Sequence, residues 1–210
     1  MIKSTVGKEL DVWIRRLFPF LFRRRLDPNA LTVAGALVST AAAVVLGLGA
    51  PRSGGLLILL GGFFDLVDGV VARHHGLSTR FGAFLDSTLD RWVDVVLVAG
   101  VAVYFARLGE PGHVALAGAT TGAMVLVSYA KARAELVIER LDVGLLERAE
   151  RVVILAAGAL SGFLAAALWV ILIGSAFTAG QRIRAAYREM QLLDAADREA
   201  EERNAPEPGS

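Results

Sequence analysis

The sequence predicts an all-α integral membrane protein with six transmembrane helices and an amphipathic interfacial helix at its N-terminus. Three observations support this. Apolar residues make up 55% of the 210 residues, and the mean hydropathy is +0.54, too apolar for an ordinary soluble domain of this length. The apolar residues fall in runs of span length, rich in Ala, Val, Leu and Gly, a composition suited to helices packing closely in lipid. The basic residues gather at particular run ends rather than spreading evenly.

Residues 1–26 form the first segment. Trp13, Leu17 and Leu21 recur at helical spacing with Ile14, Phe18 and Phe22 beside them, while Lys8, Arg15, Arg16 and Arg23 to Arg25 add positive charge. This pattern predicts a helix lying on anionic headgroups, kinked at Pro19. Its interleaved charges are unlike a cleaved signal peptide, so it is expected to remain in the mature protein.

Asp27-Pro28-Asn29 then signals a helix start, and residues 30–50 supply a first span of about the length that crosses a hydrocarbon core. Residues 51–55 read as a turn, 56–72 as a second span ending in charge, and 74–80 as a polar connection. Residues 81–107 form a third helix, charged early and apolar late. A turn at 109–112 leads to a fourth span over 114–128 that continues into Lys131, Arg133 and Glu135. The apolar stretch 152–180 is too long for one span and divides at Ser161-Gly162, giving a fifth helix and a sixth running to about residue 187. The six-helix domain is thus 27–187, and 188–210 is a polar, mixed-charge tail, helix-prone and disordered at its end.

All but Arg52 and Arg107 of the 22 Lys and Arg fall in the N-terminus, the connections at 73–91 and 131–151, and the C-terminal segment. The positive-inside rule places these regions, both termini and the charged helix ends at the cytoplasmic face of the cell membrane. No nucleic-acid partner is expected. With no cysteine in the chain, disulfides, thiolate metal sites and cysteine nucleophiles are excluded.

Chemistry concentrates in the second and third helices. Spacings of three and four place Asp65 beside Asp68, and Asp86 beside Asp90, each pair on one helix face. Carboxylates so crowded repel one another and resist desolvation, so a cation belongs among them. Oxygen donors favour Mg²⁺ or Mn²⁺. Gly69, Ala72 and Gly82 keep the neighbouring space open for a large phosphorylated ligand, and Arg73 is placed to meet its charge. One carboxylate free of metal is positioned to accept a proton from an attacking hydroxyl. The same acids also fit a proton or cation transporter, but glycines and a phosphate-suited arginine at one membrane face favour a headgroup reaction. His74 and His75 read as solvated turn residues, and Asp94, one turn beyond Asp90, as a supporting group.

The pattern D-x-x-D-G-x-x-A-R-x8-G-x3-D-x3-D, eight fixed residues over the 26 positions 65–90, resembles the signature of the CDP-alcohol phosphatidyltransferases. The resemblance extends to the span layout and covers roughly residues 7–187. It implies attack by an alcohol on the β-phosphorus of a CDP-linked lipid with release of CMP, assisted by a pair of divalent ions. It further implies metal ligation by Asp65, Asp68, Asp86 and Asp90, with Asp90 also taken as general base. Asp68, Gly69, Ala72, Arg73, Thr79 and Gly82 would surround the CDP-lipid. Asn29 and Thr32 are similar to a family segment near the nucleotide, and a helix cap explains them equally well.

On pattern alone, the charges of 128–135 and 147–151 either flank membrane spans or build a pocket for a phosphorylated acceptor. S-Y-x-K-A-R-A-E followed by E-R-x-E-R is similar to the phosphatidylinositol-phosphate synthase branch of the family, with Ala149 standing where that branch often has proline. The branch implies CDP-diacylglycerol as donor, inositol 1-phosphate as acceptor, Lys131, Arg151 and Arg182 as ligands of the acceptor phosphate, and a homodimer. Glycerol 3-phosphate as acceptor and an archaeal-type ether CDP-lipid as donor are the neighbouring alternatives.

Overall fold

Proline opens three of the six helices. In the computed structural model, which describes residues 26–204, these are α1 (Pro28–Gly47), α2 (Pro51–His75) and α4 (Pro111–Ala134), joined by α3 (Arg80–Arg107), α5 (Arg148–Ser161) and α6 (Leu164–Asn204). A proline at the first helical position loses no hydrogen bond, because the amide there has no intrahelical partner. At α1 the Asp27 side chain caps the helix by accepting from the Asn29 amide at 2.9 Å. The other two starts share a Gly-x-Pro signature. Gly49 (φ 94°) and Gly109 (φ 74°) make the left-handed turn two residues before the proline. The stretches 51–55 and 111–112, expected as turns, are therefore the first turns of α2 and α4. The amphipathic segment expected over residues 1–26 lies, but for Leu26, outside the described residues, as does the end of the tail.

The expected break in the long apolar stretch falls where Ser161-Gly162 puts it. Gly162 takes the left-handed conformation that ends α5 (φ 85°), and α6 begins at Leu164. Helix α6 does not stop near residue 187 but continues unbroken to Asn204, because residues 188–204 are strong helix formers without Gly or Pro. Its 41 residues span about 60 Å, roughly twice a hydrocarbon core.

The helices close into a ring. Helix α1 packs on α2, α2 on α5, α5 on α6, α6 on α4, α4 on α3, and α3 back on α1. All six contribute to one buried core, which includes Leu46, Ile58, Leu97, Val101, Met124, Ala156, Leu168 and Ile171. Missing side chains set how closely α1 meets its two neighbours. A Cβ on Gly61 of α2 would run into Ser39 and the Gly35 carbonyl, and one on Gly100 of α3 into the Ala43 backbone.

The outside of the ring is apolar. Leu37, Leu48, Leu56, Phe163, Trp169 and Ile173 are more than half exposed, while Asp68, Asp94, Arg151 and Arg182 are buried. Apolar groups outside and charges inside reverse the arrangement of a water-soluble protein, and lipid supplies the missing cover. Helices α1, α2, α4 and α6 have both the length and the hydropathy of a membrane span. Helix α3 is long enough but carries Asp86, Asp90, Arg91 and Asp94 in its first half.

Replacing Gly100 by valine should force α1 and α3 apart and cost about 1–3 kcal/mol. Gly180→Ala, where an added methyl meets nothing within 4 Å, should change stability by no more than about 1 kcal/mol. Thermal unfolding of the two variants in detergent checks the contrast.

Candidate active site between the charged helix ends

The start of α1, the end of α2 and the start of α3 enclose a cavity of about 290 Å³. Pro28, Asn29 and Thr32 line it from α1, Asp68, Gly69, Ala72 and Arg73 from α2, and Gly82, Ala83 and Asp86 from α3, with Leu77, Ser78 and Thr79 closing the connection. Thr79 caps α3, its Oγ1 accepting from the Gly82 amide at 2.9 Å. The nearest atoms to a Cβ on Gly69 would be those of the Arg73 guanidinium, from 3.2 Å, so the glycine leaves room for that side chain at the cavity wall. Every residue expected around a CDP-lipid lines this one space.

Asp65, Asp68 and Asp86 offer carboxylate oxygens that lie within 4.8 Å of one another. The donor set is all oxygen and anionic, which suits a hard divalent cation. Asp68 is buried and fixed by Thr32, whose Oγ1 donates to its Oδ2 at 2.6 Å. Thr32 is thus a support for the carboxylate cluster. Asp90, one turn along α3, stands outside this cluster. Its Oδ1 lies 2.9 Å from Nη1 of Arg148, and the same nitrogen is 2.6 Å from Asp65 Oδ2. His74 and His75 end α2 with their rings 4.8 Å apart and take no part in the cluster.

A second cavity, of about 210 Å³, opens on the other side of Asp90. Asp90, Arg91 and Asp94 of α3 line it together with Ser128 and Lys131 of α4, Glu147, Arg148 and Arg151 at the start of α5, and Arg182 of α6. The three expected acceptor cations therefore share one space, and each is already held. Arg151 Nη2 donates to Asp94 Oδ2 at 2.6 Å in a buried pair. Arg182 donates to the carbonyls of Val143 (3.0 Å) and Val127 (2.8 Å). Lys131 Nζ lies 3.5 Å from both Glu135 and Asp142.

Asp94, expected as a supporting group, anchors Arg151. The contact by which Arg148 joins Asp65 to Asp90 was not visible in sequence. The one available signal for Arg148 was its position at the head of α5, where a capping box between Glu147 and Glu150 fixes the first turn.

Carboxylates able to gather cations, set between two cavities lined in part by charged side chains in a lipid-covered helical ring, define a membrane enzyme for charged substrates. Residues 25–180 match the family model of the CDP-alcohol phosphatidyltransferases. Phosphatidylinositol phosphate synthase of Mycobacteroides abscessus is 40% identical over 185 residues, covering 83% of each chain. Among solved structures, phosphatidylinositol phosphate synthase of Mycobacterium tuberculosis with CDP-DAG bound superposes with a TM-score of 0.72 at 28% identity, over 87% of this chain and 94% of that one. The same enzyme in complex with manganese and citrate gives 0.71 at 27% identity, over 86% and 88%. The chain belongs to the CDP-alcohol phosphatidyltransferase family.

Removing one member of the buried Arg151–Asp94 pair leaves a charge without compensation. Asp94→Ala should therefore destabilise the protein by about 3–5 kcal/mol. Adding Arg151→Met to it should recover most of that loss. Unfolding of the single and double variants in detergent tests the pairing.

Proposed function

We propose that this enzyme transfers the phosphatidyl group of CDP-diacylglycerol to a hydroxyl of inositol 1-phosphate, giving phosphatidylinositol phosphate and CMP. The observation that carries this reading is the pair of cavities meeting at the aspartates, one fitted to a nucleotide diphosphate and the other lined by Lys131, Arg151 and Arg182. The similarity to phosphatidylinositol phosphate synthases supports the choice of both substrates.

In this reading the CDP group enters the first cavity, where Gly69 and Gly82 let the diphosphate approach the backbone and Arg73 meets its charge. Inositol 1-phosphate enters the second, its phosphate held by Lys131, Arg151 and Arg182. A hydroxyl of the acceptor attacks the β-phosphorus, the bond to the CMP oxygen breaks, and Asp90 takes the hydroxyl proton. Asp65, Asp68, Asp86 and Asp90 would hold the divalent ions, Mg²⁺ or Mn²⁺. When bound, these neutralise diphosphate charge and stabilise the leaving phosphate. Catalysis is then largely positioning and charge compensation.

The proposal includes six membrane crossings. Helix α3 crosses with its charged half inside the ring. Helix α5, whose 14 residues measure about 21 Å, crosses where its polar start lines the water-filled cavity. The concentration of Lys and Arg at the site end supports a cytoplasmic active face. A homodimer is supported by Gly118 and Gly122 of α4, four residues apart and open on the outer surface.

Metal-dependent CMP release in detergent, with CDP-diacylglycerol and a panel of inositol 1-phosphate, glycerol 3-phosphate, free inositol and serine, tests the reaction. Release with inositol 1-phosphate alone is expected. Release with glycerol 3-phosphate instead would overturn the acceptor assignment, and no release with any acceptor would overturn the reaction. A charged hydrogen bond contributes about 1.5–3 kcal/mol. Arg182→Ala should therefore raise KM for inositol 1-phosphate by about tenfold or more, with KM for CDP-diacylglycerol little changed.

A further inference from the structure

Lys131 stands where the acceptor cavity meets the connection from α4 to α5, residues 135–147. Its Nζ lies 3.5 Å from Oε1 of Glu135 and 3.5 Å from Oδ1 of Asp142. Lys131 lines the cavity, and neither carboxylate does. In the free enzyme the ammonium is therefore drawn outward, toward the connection.

The two carboxylates are not equivalent. Glu135 is only a third exposed, and the oxygen that faces Lys131 also accepts the Leu141 amide at 3.2 Å. Its carboxylate is thereby part of how the connection folds. Asp142 is 71% exposed, and an ion pair so long and so open to water is weak. Of the two, Asp142 is the one free to leave.

The chain around Asp142 stays in place when it does. On one side Leu141 is buried with Ala134 and Ile138 in a cluster against which Ala185, Ala186 and Met190 of α6 pack. On the other side the Val143 carbonyl accepts from Arg182 Nε at 3.0 Å. Parting Asp142 from Lys131 thus needs a side-chain rotation between two fixed neighbours, and no movement of the connection.

A phosphate monoester carries more negative charge at neutral pH than one carboxylate. At a similar distance it attracts Lys131 more strongly than Asp142 does. In the proposed reaction the new bond joins an acceptor hydroxyl oxygen to the β-phosphorus of the CDP-lipid, so the acceptor's own phosphate passes unchanged into the product. Cations with no competing anion would therefore hold product as firmly as substrate. An anion of the protein that returns to Lys131 opposes that retention.

We infer that Asp142 is an exchangeable counter-ion of the acceptor cavity, which yields Lys131 to the acceptor phosphate and takes it back as the phosphorylated product leaves. The inference rests on the reading above, in which Lys131, Arg151 and Arg182 hold that phosphate. Asp142 is a positioning residue, acting on the substrate through Lys131. A merely structural Asp142, one that aims Lys131 into the cavity, makes the opposite prediction, since its loss then weakens acceptor binding.

The test is steady-state CMP release by the full-length protein in detergent, with inorganic phosphate as a competing anion. Asp142→Asn should lower KM for inositol 1-phosphate about three- to fivefold. It should lower the inhibition constant of inorganic phosphate by a similar factor, with KM for CDP-diacylglycerol little changed. Asp142→Glu, which keeps the charge, should leave both within about twofold of the wild type. In a Lys131→Ala background, Asp142→Asn should shift KM for inositol 1-phosphate by less than about twofold, because the exchange passes through the ammonium.

An unchanged or raised KM in Asp142→Asn would overturn the inference, and so would a full effect of Asp142→Asn without Lys131, which would make Asp142 a distant repulsive charge. Should the wild type accept glycerol 3-phosphate and not inositol 1-phosphate, the acceptor assignment falls while the same comparison, made with glycerol 3-phosphate, still decides the exchange. Turnover with unphosphorylated acceptors alone would overturn both.

Discussion

Charge buried in a lipid-covered bundle must find its compensation inside the bundle, and this constraint organises the structure. Asp65, Asp68, Asp86, Asp90 and Asp94 project from α2 and α3 into the space enclosed by the charged helix ends. The first turn of α5 answers them with two arginines three residues apart. Arg148 meets Asp65 and Asp90, and Arg151 meets Asp94. Thr32 of α1 supplies a hydroxyl to Asp68. Without these partners the desolvation of so many carboxylates would oppose the packing that brings α2 and α3 together.

The ring of helices is what allows the partners to meet. Helix α1 reaches α2 and α3 through Gly61 and Gly100, close enough for the Thr32 hydroxyl to span the gap to Asp68. Helix α5 reaches α2 at its apolar end, where a Cβ on Gly55 would press against Ala159 and Leu160, and this packing sets the height at which Arg148 faces Asp65. Small residues and buried ion pairs thus act together. Shifting α5 by one turn, about 5.4 Å, would break both arginine contacts at once.

The parts of this arrangement that were legible in the sequence are local ones. The aspartate pairs follow from spacings of three and four on a helix, and the α5–α6 break follows from Ser161-Gly162. Helix α1 begins at the Asp27-Pro28 signal. The misread turns at 51–55 and 111–112 also have a local cause, because the left-handed glycine precedes the proline by two residues and the proline already belongs to the helix. Contacts across distant segments were not legible. Arg148 and Asp65 are 83 residues apart, and the segment Glu147-Arg148-Ala149-Glu150-Arg151 offers two arginines with no local sign of which one faces which acid. The helical register that separates them comes from the local capping box and from the ties to α6, and only the ties are tertiary.

A difference between arginine and lysine bears on how the acceptor cavity works in the proposed reaction. Every cation lining it has a partner, yet a partner does not exhaust a guanidinium. Arginine carries five N–H donors in a fixed plane. Arg182 commits its Nε and Nη1 to backbone carbonyls, and Arg151 commits Nη2 to Asp94. Each is held in place by the protein and still has donors for an arriving phosphate, so little ordering remains to be done on binding. Lys131 differs. Its contacts with Glu135 and Asp142 are long, at 3.5 Å, and a flexible stem lets the ammonium exchange a carboxylate for a phosphate. The cavity thus combines two rigid anion holders with one mobile cation. In the proposed reaction the arginines would fix where the acceptor phosphate sits, and the lysine would follow it in.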